Sequence, residues 1–266
     1  MPVWEDFENQ CTEYLNQKFG KYAVFTHKGG ADSTVPDILV STKNGNSFYI
    51  EAKHSPAQCG QFVLLPDLKT KSFRYSDLNA TELNESSQKI IAYMNQDFEA
   101  FKEAGTAGKT INISDQTNIF SNWIIRTYAD KGVKFFITND NTIVPLEHFS
   151  EYFDISAKYR IKRSGSGSVG KSRLDCVMDY IRSHDYAVTA FRTEENKLYV
   201  TSQNQLKNQK FVLNDHEYMF AARKNEYEIR KLSNTYNANV IFSVIFKETK
   251  GLSDDDFIKY LYQINQ

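Results

Sequence analysis

Two short apolar runs, Ile38 to Thr42 and Ser47 to Lys53, flank Asn44-Gly45, the strongest short hairpin signal a sequence carries. Such a pair fixes register, and register fixes which side chains share a face. Around it the period changes. Trp4, Phe7, Cys11, Tyr14 and Leu15 recur at three-and-four spacing, which predicts a helix from Trp4 to Phe19 that Gly20 stops. Tyr22 to Phe25 reads as a short strand. Ser55-Pro56 reads as the cap and first turn of a short helix carrying Gln58 and Gln61. Helices follow from about Ser86 to Ala104 and from about Asp115 to Asp130, and Val133 to Asn139 returns as an apolar strand. The order predicts a mixed α/β fold, a central mixed sheet flanked by helices.

Beyond about Ser150 the texture turns to short strands broken by polar turns, with helices near Leu174 to Arg182 and Asp255 to Ile264. The expected division is residues 1–150 as a catalytic core and residues 151–266 as a β-rich DNA-recognition region packed on it. A chain of 266 residues, 41% hydrophobic, is long enough for one sizeable core or two modest ones. Its net charge of -1 gives no global attraction for a polyanion, so any nucleic-acid contact has to come from local clusters. Cys11, Cys59 and Cys176 form no Cys-x-x-Cys pair, which suits a reducing cytosol. The N-terminus lacks a signal-peptide pattern and the longest apolar run, Val240 to Phe246, is too short to span a bilayer. The expectation is a cytoplasmic protein with no membrane partner and no small-molecule substrate.

The chemistry centres on Pro36-Asp37 and, fourteen residues later, Glu51-Ala52-Lys53. Alternation in the second hairpin strand sends Phe48, Ile50 and Ala52 one way and Tyr49, Glu51 and Lys53 the other. The hairpin returns Glu51 alongside Asp37, so both carboxylates and the Ala52 carbonyl can hold a hard divalent cation, Mg2+ with Mn2+ as a substitute. Phosphodiester hydrolysis needs phosphoryl charge stabilised and a water aligned. Asp37 and Glu51 fit the first need; Lys53 fits the second, orienting the water or, with a lowered pKa, helping to deprotonate it. Glu8, one turn from Trp4, borders the apolar stripe of the first helix and joins the catalytic candidates, as does Gln61; Gln58 is a candidate DNA contact. The five histidines show no metal-ligand spacing.

Between Ser156 and Leu174 lie six basic residues, Lys158, Arg160, Lys162, Arg163, Lys171 and Arg173, and no acidic one. Lys158, Arg160 and Lys162 would share a strand face, and Ser164-Gly165-Ser166 offers small donors for phosphate. Arg160 or Arg163 suits guanine, whose O6 and N7 match a forked guanidinium. Asn234, Asn237 and Asn239 precede an apolar strand, Val240 to Phe242, and form a weaker candidate cluster. A rival reading takes Gly165-Ser-Gly-Ser-Val-Gly170-Lys171-Ser172 as a phosphate loop, although the strand before it is charged where such strands are apolar. A second rival keeps the nuclease fold but makes the protein a repair or junction nickase.

The stretch Gly30 to Leu39, followed by Phe48-Tyr49-Ile50-Glu51-Ala52-Lys53 and Gln58 to Leu64, resembles the HhaI-type restriction endonucleases. Val133 to Thr138 with Glu147-His148-Phe149, Tyr159 to Ser166 and Lys231 to Ser243 agree in the same order. The resemblance thins from about Gly167 to Asn225 and beyond Lys247. It implies a PD-(D/E)xK nuclease core with Asp37, Glu51 and Lys53 catalytic. It implies a Mg2+-dependent type II restriction enzyme that cuts double-stranded DNA at GCGC, leaving 5'-phosphate and 3'-hydroxyl ends, alongside a host DNA methyltransferase with no stable complex. Asp32 and Ser33, in the first resembling stretch, are further candidate DNA contacts.

Overall fold

A computed structural model describes residues 3–29 and 35–264, with backbone alone at 3–4, 163–164 and 234–236. The chain opens with α1 (Val3–Phe19), whose end Gly20 closes by donating its N–H to Asn16 O at 3.0 Å. The strands β1 (Ala23–His27), β2 (Ile38–Thr42) and β3 (Ser47–Ala52) form an antiparallel meander. The expected hairpin is present, and Gly45 takes φ +84°, the left-handed position that such a loop demands. Then come β4 (Ala57–Asp67), β5 (Ser72–Tyr75), α2 (Glu85–Gln96), α3 (Phe98–Lys102), β6 (Lys109–Thr110) and α4 (Gln116–Ala129). This long excursion lets β7 (Val133–Thr138) lie parallel to β3, which no tight turn could achieve, and β8 (Thr142–Pro145) closes a five-stranded mixed sheet of order β1-β2-β3-β7-β8.

Both faces of this sheet are covered. Phe48, Ile50 and Ala52 pack with Leu15 and Phe19 of α1 and with Phe257 and Leu261 of α7 (Asp254–Ile264). Phe136 of β7 faces the other way, into a larger core with Trp123 and Ile124 of α4, Phe62 of β4 and Phe242. Burying each such aromatic contributes about 1.5–3 kcal/mol. At the outer edge, Phe25 of β1 turns its backbone groups away from β2: its N–H donates to Asn16 Oδ1 at 3.2 Å and its carbonyl accepts from Asn16 Nδ2 at 2.7 Å.

After α5 (Phe149–Tyr152), the long strand β9 (Phe153–Gly167) carries the chain out of this first compact unit, residues 1–161 and 238–266. The second unit, residues 162–237, holds α6 (Leu174–Ser183), β10 (Val188–Glu194), β11 (Lys197–Ser202), β12 (Lys210–Leu213), β13 (His216–Ala222) and the first part of β14 (Tyr227–Phe246). Its strands run β10-β11-β14-β13-β12, all antiparallel, around a separate core of Val177, Ile181, Leu198, Val200, Phe211, Phe220 and Ile229. The compact units thus divide elsewhere than at residue 150. Tyr159 of β9 pairs with Lys109, Val240 of β14 pairs with Phe62, and α7 packs on the five-stranded sheet, so both ends of the presumed second half belong with the first.

Two expectations need correction. Residues 57–67 form strand β4, not a helix after a proline cap; Ser55-Pro56 is a cis peptide, and Cys59, Phe62 and Leu64 are buried in the larger core. The helix expected over 86–104 is two. Asn84 caps the first, its Oδ1 accepting from Ser87 N while Ser87 Oγ accepts from Asn84 N, and Asp97, at φ -128° and ψ 49°, ends it. The break lets Phe98 and Phe101 reach the rings of Phe73 and Tyr159. The phosphate-loop reading also fails: β9 pairs antiparallel with β6 and runs on to Gly167, through the first part of the supposed loop. Among the described residues, no helix is long and apolar enough to cross a membrane.

Candidate active site and nucleic-acid interface

Asp37 stands at the entry to β2, pinned from two sides. Its backbone carbonyl accepts from the N–H groups of Lys28 and Gly29 at 2.7 and 2.9 Å, and its Oδ2 accepts from Ala52 N–H at 2.9 Å. Within a strand the N–H and C=O of one residue point to the same side, so the Ala52 carbonyl also faces Asp37. Lys53 turns its backbone the opposite way, its N–H to Ile137 O at 2.9 Å and its carbonyl to Thr138 Oγ1 at 2.7 Å. Its side chain shares a face with Glu51, Nζ to Oε1 at 2.6 Å. The alternation read from the sequence holds, and it brings Asp37, Glu51, Ala52 and Lys53 together.

Both carboxylates are buried, at 8% and 7% exposure. Burial, then the charge of Glu51, pushes Asp37 up to about 7 against the pull of Lys53, with Glu8 adding to the rise. Burial acts to lower Lys53, but Glu51 and Asp37 outweigh it and hold the ammonium protonated well above its usual range. Cys11 and Cys59, each pushed up to about 12 chiefly by burial, are inert thiols. Two buried acids that resist joint ionisation form a site a hard cation would relieve. Among the described residues no three His, Cys, Asp or Glu side chains gather as a metal cluster. The protein's share would be two carboxylates and a carbonyl, the sparse set Mg2+ takes while keeping several waters.

Glu8, on α1, is buried beside this cluster, and its Oε2 lies 2.9 Å from His27 Nε2. Gly29 makes the approach possible: a Cβ there would fall on Glu8 Oε2 and stand 3.0 Å from Asp37 Oδ1. The sequence had not singled out His27; its position at the end of an edge strand gives no periodic signal. Gln58 and Gln61 lie exposed on β4 and bond to one another at 3.3 Å, brought to one side by the irregular register between Ile241 and Ser243. Asp32 and Ser33 fall outside the described residues.

Along β9, Phe153, Ile155, Ala157, Tyr159 and Ile161 are buried, leaving Lys158 and Arg160 of the first unit on the opposite face. The Lys158 stem runs across Gly108, which at φ +77° has no side chain to obstruct it. In the second unit Lys162, Ser166 and Lys171 are exposed, while the side chains of Arg163 and Ser164 lie outside the description. Ser166 is already engaged: Arg230 donates to its carbonyl at 2.6 Å and to its Oγ at 3.3 Å. Arg230 is held in turn by buried Glu228 at 2.6 Å, which also takes Arg223. Burial alone would raise Glu228, but the two guanidinium groups keep it below the usual carboxylate range. Sequence reasoning missed this trio, although Glu228 and Arg230 stand two apart on one strand face. The asparagine cluster lies inside β14 rather than before a strand; Asn237 is exposed, Asn239 is buried opposite Val63, and the Asn234 side chain is outside the description.

No protein-family model and no curated protein matches this chain. A solved structure does: HhaI endonuclease in complex with DNA is 35% identical, covers 99% of this chain and 99% of its own, and superposes with a TM-score of 0.74. Identity at that level over the whole length, on one mixed α/β architecture, exceeds a likeness of fold alone. The chain belongs to the family of HhaI endonuclease.

Proposed function

We propose that this protein is a Mg2+-dependent type II restriction endonuclease of the PD-(D/E)xK class that hydrolyses phosphodiester bonds of duplex DNA, with GCGC as the target. The observation that carries the reading is the group of buried Asp37 and Glu51 with the Lys53 ammonium at 2.6 Å from Glu51, on a chain whose relative was solved on DNA. Asp37 Oδ1, Glu51 and the Ala52 carbonyl would hold Mg2+, which supplies Lewis-acid stabilisation of the phosphoryl oxygens and of the leaving 3' oxygen. Asp37 Oδ2 stays with Ala52 N–H, which fixes the carboxylate's angle. Lys53, protonated, donates to the attacking water and offsets charge on the phosphate. The chain's own contribution is thus alignment and charge, and scission leaves 5'-phosphate and 3'-hydroxyl ends. Lys158, Arg160, Lys162, Arg163 and Lys171 contact backbone phosphate or bases. A host of such an enzyme needs a methyltransferase that protects the same site.

The test is incubation with Mg2+ and plasmid of known sequence, with Lys53→Ala as control, and mapping of the product ends. Discrete fragments ending at GCGC support the whole reading. Nicked circles alone replace it with the nickase, and uncut plasmid with Mg2+ and with Mn2+ refutes it.

A further inference from the structure

None of the chemistry above uses His27, yet it is the side chain that holds Glu8. Its Nε2 lies 2.9 Å from Glu8 Oε2, with the two side chains only 23% and 11% exposed. A carboxylate accepts and does not donate, so the ring N–H donates whichever charge the imidazole carries. The pair links α1 to the end of β1 and confines Glu8 to one orientation. Glu8, Asp37 and His27 crowd together against Gly29: a Cβ there would fall on Glu8 Oε2 and stand 3.0 Å from Asp37 Oδ1 and 3.1 Å from His27 Nε2, so the Glu8 carboxylate lies beside that of Asp37. Because Asp37 Oδ2 is committed to Ala52 N–H, Oδ1, which lies against Gly29, is the oxygen left for a cation or its water.

We infer that His27 is a positioning residue for cleavage: by donating to Glu8 it fixes a carboxylate beside Asp37 that accepts a hydrogen bond from water hydrating the cation. The inference rests on the metal-dependent nuclease reading of Asp37, Glu51 and Lys53. Mg2+ keeps several waters, which need outer acceptors, and partners that orient such groups from behind are typically worth 10–100-fold in metal affinity or activity.

The experiment titrates Mg2+ into wild-type, His27→Ala, His27→Gln, Glu8→Gln and the Glu8→Gln/His27→Ala double variant without DNA, reading thermal stabilisation, and repeats the titration on cleavage. In His27→Ala and Glu8→Gln the Mg2+ concentration for half-maximal response should rise about tenfold or more in both readouts. In His27→Gln, whose amide N–H can replace the ring donor, it should stay within about threefold of wild type. The double variant should lose no more than Glu8→Gln does, since His27 acts through Glu8. An unchanged Mg2+ response in folded His27→Ala, or full additivity in the double variant, overturns the role of His27. Should His27→Ala fail to fold, an unchanged response in Glu8→Gln overturns it equally. A wild-type chain without Mg2+ stabilisation and without cleavage overturns the nuclease reading itself.

Discussion

The ammonium of Lys53 and the carboxylate of Glu51 meet at 2.6 Å, two residues apart at the end of β3, with side chains only 17% and 9% exposed. Removing the lysine leaves Glu51 and Asp37 as buried acids with their compensating charge gone. Lys53→Ala should therefore reduce single-turnover cleavage by at least about 100-fold while duplex affinity stays within a few-fold. Lys53→Arg should not restore the rate, because a planar fork does not place one donor where the ammonium stood. Quench-flow cleavage beside filter binding separates the two effects.

Asp37 gives the metal-free protein a pH signature. Its carboxyl is held up to about 7 from an ordinary 3.8, mainly by burial and by Glu51. Between those values the folded chain keeps a proton that the unfolded chain has released. Stability should thus fall as pH rises from about 4 to about 7 and level off above, a contribution of at most a few kcal/mol. Saturating Mg2+ should flatten this dependence, since the cation replaces the proton. Melting temperatures from pH 4.5 to 8, in chelator and in Mg2+, measure both; a contribution that rises with pH in chelator would contradict the placement of Asp37.

Glu228 accepts from Arg223 and Arg230 while almost fully buried. Glu228→Ala should destabilise by about 1–3 kcal/mol, below the 3–5 expected for a wholly buried pair because both guanidinium groups retain some water. Thermal denaturation checks the size. The loss should be smaller near pH 3 than near pH 7, because the carboxylate's stabilising contribution is present above the ordinary carboxyl range and disappears as pH falls through its lowered value.

Lys158→Ala and Arg160→Ala test the basic face of β9. Each should weaken duplex binding and reduce the slope of log affinity against log salt by about 0.9 if it neutralises one phosphate. A substitution that relaxes sequence preference and leaves the salt slope intact would instead mark a base contact. Fluorescence anisotropy at several salt concentrations separates the two.

Much of this molecule was legible from period alone. The helices α1, α4, α6 and α7 and the hairpin β2–β3 follow from spacing, and period-two alternation from Ser47 onward puts Glu51 and Lys53 on one face. What period could not show was β4. Ser55-Pro56 resembles a helix start, and the irregular register near Gly60 destroys the alternation of Cys59, Phe62 and Leu64 that would have revealed a strand. Long-range partners were equally invisible. Glu8 meets His27 across 19 residues, and Arg230 meets Ser166 across 64. Neither spacing carries a local signature, because the first depends on which strand ends beside α1 and the second on which strands lie side by side.

The amide of Asn16 also bears on how copies of this protein coexist at high concentration. An exposed strand at the rim of a sheet is a template on which another chain can polymerise. In β1 the central rung, Phe25, is already occupied on that rim by a side-chain amide that imitates a neighbouring backbone. A would-be partner strand meets a missing rung between Val24 and Thr26. Asn16 thus blunts the rim of the five-stranded sheet against self-association without lengthening the chain, and Asn16→Ala would expose a growth point for insoluble assembly.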